Sequence, residues 1–392
     1  MEHFYPFFLI IFAGVFLSMI VRRVHVPWVV GLILAGILIG PHAFNLLSIT
    51  PTVEFIAQVG LVFLMFMAGL ETKLSSFRHF QSKLLLLAFI NGALPFAVGL
   101  ATAYAFGYTS TSALLVGIIF ISSSIAVVIP SLERHGLLHS RLGQSVIMTS
   151  VIQDIASLIL LSIVLQSTGP VTSLPLYIFY PLVVIVLMAL RFLLPRAIKL
   201  LTYTVKGTKD LFQQEFRATF LVLIGTVISF EILGLHPIIA GFFAGFVLSD
   251  SMKITMIKEK IRAVSYGIFI PTFFILIGAQ VEIDVLRDVH TAIPLALSII
   301  VASICSKFVS GWVSAKLIGF TSNQALLFGV SSIPQLSTTL AVASTSLALG
   351  IIDQQLITAM VALSIITVVV SPTLMNILEE RITKSLDKDM PV

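Results

Sequence analysis

The chain has 392 residues, of which 58% are hydrophobic and only 10% charged, with a mean hydropathy of +1.09. This excludes a soluble globular domain and points to an all-α polytopic membrane protein. The net charge of +5 does not imply nucleic acid, because the basic residues fall in short loops between apolar runs, and the single cysteine, Cys305, excludes an intrachain disulfide or a Cys-based metal site.

A helix that crosses a bilayer needs roughly 20 apolar residues. Thirteen apolar runs read as spans, near residues 4–21, 27–44, 54–70, 84–106, 111–130, 144–166, 174–194, 213–234, 236–249, 264–281, 292–315, 323–348 and 354–377. The first is followed, not preceded, by Arg22 and Arg23, so it reads as a retained span and not a signal peptide. With thirteen spans, the odd-numbered loops and the C-terminal tail share one side. They and the adjoining span ends carry nearly all the basic residues, while the opposite loops hold only Arg287 and Lys307 is left within a span. That bias makes the odd loops cytoplasmic and the N-terminus external.

The chain repeats itself. Pro27, Gly31 and Ala35-Gly36 of run two echo Pro237, Gly241 and Ala244-Gly245 of run nine, and Leu64 to Gly69 of run three echoes Phe273 to Gly278 of run ten. An offset of seven spans sets the copies in opposite directions, which is an inverted repeat. The expected domains are a first repeat over 1–173, a linker helix and cytoplasmic loop over 174–212, a second repeat over 213–378 and a short cytoplasmic tail over 379–392.

Runs five and twelve hold corresponding places in the two repeats, and both are interrupted. Run five contains Ser122-Ser123-Ser124 and ends at Pro130; run twelve contains Pro334-Gln335 followed by Ser337 and Thr338. Proline removes a backbone donor, and hydroxyls can bond freed backbone groups. Paired broken spans point to a binding site lined by carbonyl and hydroxyl oxygens; the alternative is a pair of ordinary proline kinks.

Gln153-Asp154 lies in the middle of run six, which has no other charge. A carboxylate at that depth is costly and marks a functional site, or else a buried pair that fixes packing. Lys307, within run eleven, is the candidate basic partner; a lysine can also snorkel to the cytoplasmic surface. Gln153 either shares the site or bonds a neighbouring helix. His25, His135, His139 and His236 lie near loops and read as solvated, and Glu231 reads as an entrance or interface residue.

These pieces, together with Pro27 to Pro41, Phe63 to Glu71, Pro237 to Gly245 and Pro271 to Gly278, resemble a bacterial monovalent cation/proton antiporter of the second cation-proton antiporter family. The Gln-Asp pair is similar to that of the potassium efflux (Kef-type) branch. The resemblance implies a homodimer in the cytoplasmic membrane, with a dimerisation domain and a mobile core that holds two crossed broken helices. It implies that Asp154 binds cation and proton in competition, that Lys307 is the basic partner and that Gln153 fills a variable first position. Two departures stand out: Ile333-Pro334-Gln335 replaces an Arg-Gly-Glu segment of many relatives, and no C-terminal nucleotide-binding domain follows, so regulation is expected from a separate subunit if at all.

The expected activity is secondary exchange of K+ or Na+ against H+, contributing to pH homeostasis. It needs no cofactor, and it is electroneutral because Gln153 cannot titrate. The rival is a channel-like or sensory membrane protein in which Asp154 and Lys307 form a structural ion pair. A membrane-embedded aspartyl protease ranks last, since it needs two intramembrane acids.

Overall fold

The computed structural model describes residues 4–23, 27–72, 82–134, 136–168, 211–233, 235–249, 255–282 and 290–388, with scattered positions between 181 and 196. Over these residues all regular structure is helical. The first seven helices are α1 (Phe4–Arg23), α2 (Trp28–Ile39), α3 (Pro51–Glu71), α4 (Ser82–Ala105), α5 (Ser110–Ile121), α6 (Ile125–Arg134) and α7 (Arg141–Thr168). Next come α8 (Leu211–Ile232), α9 (Pro237–Leu248) and α10 (Thr255–Val264), then a π-helical turn (Ser265–Phe269) that runs into α11 (Ile270–Ala279). The chain finishes with α12 (Ala292–Leu317), α13 (Ser322–Ser331), α14 (Ser337–Ala348) and α15 (Gln354–Lys388).

Among the described residues, eight segments are long and apolar enough to cross a membrane: Phe4–Val21, Pro51–Glu71, Lys83–Ala105, Ser110–Arg134, Arg141–Ser167, Lys258–Ala279, Ala292–Leu317 and Gln354–Leu378. Three shorter apolar helices, Trp28–Ile39, Phe220–Ile232 and Pro237–Leu248, and the half-helices α13 and α14 correspond to the other predicted runs. Most of the expected linker span over 174–194 falls outside the described residues, and so do Arg287 and the loop residues Lys73, Arg78, Lys206 and Lys209. Two boundaries differ from the sequence reading. Pro130 sits inside α6, which continues to Arg134; the missing N–H costs only one bond of a short helix. The expected tail is a continuation of α15 as far as Lys388.

The helices group into two compact units, and each draws on both halves of the chain. One comprises Met1–Ile11, Ile49–His79 and Leu165–Phe274; the other comprises Phe12–Ser48, Phe80–Val164 and Ile275–Val392. In the first unit, Thr50 caps α3 by accepting from the Val53 N–H, with Pro51 at the first helical position. Here α3 lies directly on α9. A Cβ on Gly69 would stand 2.1 Å from the Phe242 carbonyl oxygen, and one on Gly245 would stand 2.1 Å from that of Phe66. Only glycine permits that approach. Phe63 stacks on Phe269 at 5.2 Å beside this seam.

The second unit contains the counterpart seam. A Cβ on Gly36 of α2 would meet the Ile275 carbonyl oxygen at 2.0 Å, and one on Gly278 of α11 would meet that of Ile33 at 2.1 Å. The repeated Ala-Gly and terminal Gly of the sequence are thus the contact points of two matching helix pairs. Each pair joins a helix of the first half to one of the second. In the same unit α4 packs on α5 and α12. An apolar cluster of Leu87, Val128, Leu132, Val146, Phe328 and neighbours joins α6, the start of α7 and α13, with the Arg141 guanidinium 5.2 Å from the Phe320 ring centre.

Candidate functional site

All the candidate site residues lie in the second unit. The site is built where two helices stop short and cross. Thr109 starts α5 by accepting from the Ser112 N–H, and the helix ends at Ile121 because Ser122 turns extended (φ −66°, ψ 150°). The chain restarts as α6 three residues later. Thr321 and Gln324 form a reciprocal capping box that starts α13. That helix ends at Ser331, and the chain stays irregular through Leu336 before α14 begins at Ser337. The breaks meet: the Ser124 N–H donates to the Pro334 carbonyl at 2.6 Å, and Ser123 Oγ lies 2.9 Å from the Ser332 carbonyl oxygen.

Asp154, on α7, faces both breaks. Its Oδ1 accepts from Ser122 Oγ at 2.8 Å and from Thr338 Oγ1 at 3.0 Å, one donor from each broken helix. Both bonds fall on Oδ1, while Oδ2 accepts no hydrogen bond from the described residues and the residue keeps 6% of its surface exposed. Around it Ser157 Oγ donates to the Ile118 carbonyl at 3.2 Å, and Ser150 Oγ bonds back to Val146 within α7.

Lys307 is fully buried and does not snorkel. Its ammonium donates to the Ile121 carbonyl, to Ser123 Oγ at 3.0 Å and to Gln153 Oε1 at 3.2 Å. Those three bonds use its three protons, and none reaches Asp154. The cation sits at the open carbonyl end of α5, where the helix dipole favours positive charge. Gln153 also reaches the Ala88 carbonyl through Nε2 at 3.5 Å. Ser123 has one proton and two acceptors, Gln153 Oε1 and the Ser332 carbonyl, so its hydroxyl serves one at a time.

The structure therefore brings together Asp154, Gln153, Lys307, Ser122, Ser123 and Thr338. Ser124, Pro334 and Gln335 tie the crossing instead: Gln335 Nε2 donates to the Phe120 carbonyl at 3.3 Å. Ser337 opens α14, half-buried, and no hydrogen bond joins it to the acid. Asn91 of α4 is a member that the sequence reading missed. It donates to Ser332 Oγ at 3.0 Å and accepts from Ser310 Oγ at 2.8 Å, which joins the end of α13 to the helix turn after Lys307. Its signal was a lone amide in an apolar run, without the neighbouring charge that drew attention to Gln153.

Of the histidines, His25 and His135 lie outside the described residues, and His139 is exposed as expected. His236 departs from expectation: it is half-buried ahead of α9, its Nδ1 accepts from the Ile238 N–H at 3.5 Å, and burial pushes its pKa down to about 4. Glu231 is exposed. Among the described residues, no group of three or more His, Cys, Asp or Glu is placed to hold a metal ion.

Compared with known proteins, the chain matches the family described as "Sodium/hydrogen exchanger, transmembrane" over residues 7–378. It is 27% identical to the probable Na(+)/H(+) antiporter 3 of Methanocaldococcus jannaschii, over 95% of this chain and 96% of that protein. It is 25% identical to a Na(+)/H(+) antiporter of Enterococcus hirae, over 95% and 97%, and 24% identical to the Na(+)/H(+)-K(+) antiporter GerN of Bacillus cereus, over 90% of each. Among solved structures, the sodium proton antiporter MjNhaP1 of M. jannaschii at pH 8 superposes with a TM-score of 0.68 at 17% identity, over 95% of this chain and 96% of that one. That likeness shows a shared fold. The expected closeness to the potassium efflux branch is not carried by these relatives and rests on Gln153-Asp154 alone.

Proposed function

The chain belongs to the sodium/hydrogen exchanger family, and from that premise we propose that it exchanges Na+ or K+ for H+ across the membrane, with Asp154 as the carboxylate that both cargoes share. The observation that carries this reading is Asp154 itself. It is the acid of an otherwise apolar span, it holds one hydroxyl donor from each broken helix on Oδ1, and its Oδ2 is left for cargo. One carboxylate cannot hold a cation and a proton well together, so occupancy by one expels the other, and that competition couples the two fluxes. Alternating access follows when the unit that contains the site moves with its cargo. An empty, charged Asp154 crosses poorly because of its desolvation cost, which limits leak.

Lys307 keeps its charge compensated by the α5 carbonyl end and by neutral Gln153 and Ser123. Since Gln153 cannot titrate and Lys307 is held by three acceptors, one proton is exchanged per cation and the cycle is electroneutral. The rival reading, a channel or sensor built on a structural ion pair, is less favoured because Lys307 spends its hydrogen bonds on Ile121, Ser123 and Gln153 and acts on Asp154 through charge alone. Further parts of the reading are a homodimer in the cytoplasmic membrane, supported by the family resemblance, and an external N-terminus with a cytoplasmic C-terminus, supported by the distribution of basic residues.

The test is the protein in liposomes that contain a pH dye, challenged with sodium and then potassium, beside Asp154→Asn. A dye response that needs the cation and is lost in the variant supports exchange at Asp154, and the preferred ion names the cargo. Cation flux without a pH change, or a variant as active as the native chain, refutes the reading. A current that tracks exchange in a voltage-clamped membrane refutes electroneutrality alone.

A further inference from the structure

The starts of α5 and α13 are one motif written twice. Gly107-Tyr108-Thr109-Ser110 leads into α5 and Gly319-Phe320-Thr321-Ser322 into α13, and Ala113-Leu114-Leu115 and Gly117 recur at the same offset as Ala325-Leu326-Leu327 and Gly329. Both leading glycines have a positive φ, 79° at Gly107 and 94° at Gly319, and each threonine caps its helix. The offset that carries Tyr108 onto Phe320 also carries Arg141 onto Asp353. These four residues meet in crossed pairs. The Tyr108 hydroxyl donates to the Asp353 carboxylate, 3.2 Å from each oxygen, and the Arg141 guanidinium lies over the Phe320 ring. Each broken helix is thus tied at its start to the turn that enters a long helix from the other half of the chain. The tie is repeated, although its chemistry differs.

The Tyr108–Asp353 pair closes one end of a two-rod assembly that has Asp154 at its other end. The helices α5 and α14 are both 12 residues long, about 18 Å each, and they pack on one another. At the inner end Ser122 follows α5 and Thr338 lies in the first turn of α14, and both donate to Asp154 Oδ1, at 2.8 and 3.0 Å. At the outer end the start of α5 meets the turn after α14. There Ser112 Oγ donates to the Ile351 carbonyl at 2.8 Å, and Asp353 Oδ1, besides facing Tyr108, accepts the Leu356 N–H at 2.9 Å in the first turn of α15. Burial and the neighbouring carboxylate push the pKa of the Tyr108 phenol up, so it keeps its proton to donate. A slip of about 1 Å between the rods can carry one of the two Asp154 bonds beyond hydrogen-bond range.

We propose that Tyr108 and Asp353 are positioning residues for exchange at Asp154: they latch α5 and α14 into one body that stays closed through the transport cycle, and so keep Ser122 and Thr338 in register on a single carboxylate oxygen. Tyr108 is half-buried and Asp353 exposed. A hydrogen bond in that setting contributes modestly to stability, so its effect is read at the site and not in the fold. The inference rests on the reading of Asp154 as the exchange site.

The test is cation-dependent exchange in dye-loaded liposomes by the native chain, by Tyr108→Phe, and by Tyr108→Cys with Asp353→Cys in a Cys305→Ala background. Tyr108→Phe is expected to raise the KM for the cation about three- to tenfold, the worth of one hydrogen bond, while kcat stays within about twofold and the melting midpoint falls by no more than about 3 °C. The double-cysteine protein is expected to show the raised KM when reduced. Bridging its thiols with a short bis-methanethiosulfonate reagent should return the KM towards that of the Cys305→Ala background and leave kcat intact. An unmoved KM in Tyr108→Phe, or a fall in the midpoint alone, overturns the proposal. So does a bridge that stops exchange, which makes the pair a gate that must open. Should the double-cysteine protein fail to fold, Tyr108→Phe decides by itself, since phenylalanine already stands at the matching position, Phe320. An inactive native chain refutes exchange at Asp154 and the latch with it, whereas an active native chain with an unmoved KM in Tyr108→Phe refutes the latch alone.

Discussion

Replacing Gly245 by alanine tests how tightly the fold depends on its helix seams. The added Cβ would stand 2.1 Å from the Phe66 carbonyl oxygen and 2.9 Å from the Leu70 nitrogen. An ordinary carbon–oxygen contact is roughly 3.3 Å, so α3 and α9 must part by roughly 1 Å. The obstacle is backbone on a packed helix, which no rotamer change relieves. Overpacking costs about 1–3 kcal/mol where side chains can yield; with backbone on both sides the cost is about 3 kcal/mol. At the low end of the usual scaling that is a fall of roughly 6 °C in midpoint. The control is Gly225→Ala on α8, where nothing lies within 4 Å of the new Cβ and the gain in helix propensity is about 1 kcal/mol. The assay is tryptophan fluorescence on heating, with both variants in the same detergent. If Gly245→Ala melts at or above Gly225→Ala, the seam is not closed as described.

Other outcomes follow from the site and its surroundings. Thr338→Val removes one of the two donors on Asp154 Oδ1; a bond to a charged group is worth about 1.5–3 kcal/mol, so the KM for the cation should rise roughly tenfold or more, and an unchanged KM in dye-loaded liposomes counts against the role of Thr338. Asn91→Ala strands the Ser310 and Ser332 bonds and should cost about 1–3 kcal/mol, read as a lower unfolding midpoint. His236 has a pKa of about 4 in the folded chain against 6.5 ordinarily. It stays neutral when folded and takes up a proton on unfolding, so its contribution is full above pH 6.5 and is lost as the pH falls towards 4. The loss is about 2 kcal/mol, given its partial exposure. His236→Asn keeps a capping acceptor and should flatten that limb of the stability–pH curve; an unchanged limb assigns it to other groups.

Much of this arrangement was legible before any helix was placed. Asp154 stood out because a charge in an apolar run is costly, and the broken helices stood out because serines and a proline interrupt two runs at matching places. The glycines of α2, α3, α9 and α11 were visible as a repeat, although their role as close-contact points was not. Other features depend on tertiary contact and leave no local trace. Lys307 looked like the partner of Asp154 because both are charged; the two do interact through charge, but the ammonium bonds the carbonyl end of α5 and not the acid. That choice depends on where Ile121 ends a helix 186 residues away. Asn91 was overlooked because an amide carries no charge to price, and its two serine partners lie on helices far along the chain. His236 read as solvated from its place beside a loop, since burial by neighbours is not written in the flanking residues.

The pairing of α2 with α11 and of α3 with α9 also bears on how the protein is made. Gly36 and Gly69 emerge from the ribosome in the first half of the chain, while the surfaces that cover them, around Ile275 and Phe242, are synthesised some 170 residues or more later. Until then both bare helix faces wait in the bilayer without their partners, at the stage when long-range contacts are still unmade and misassembly is most open. Neither half can complete its own seams, so a chain truncated after α7 would insert its spans and still lack a partner for each glycine face.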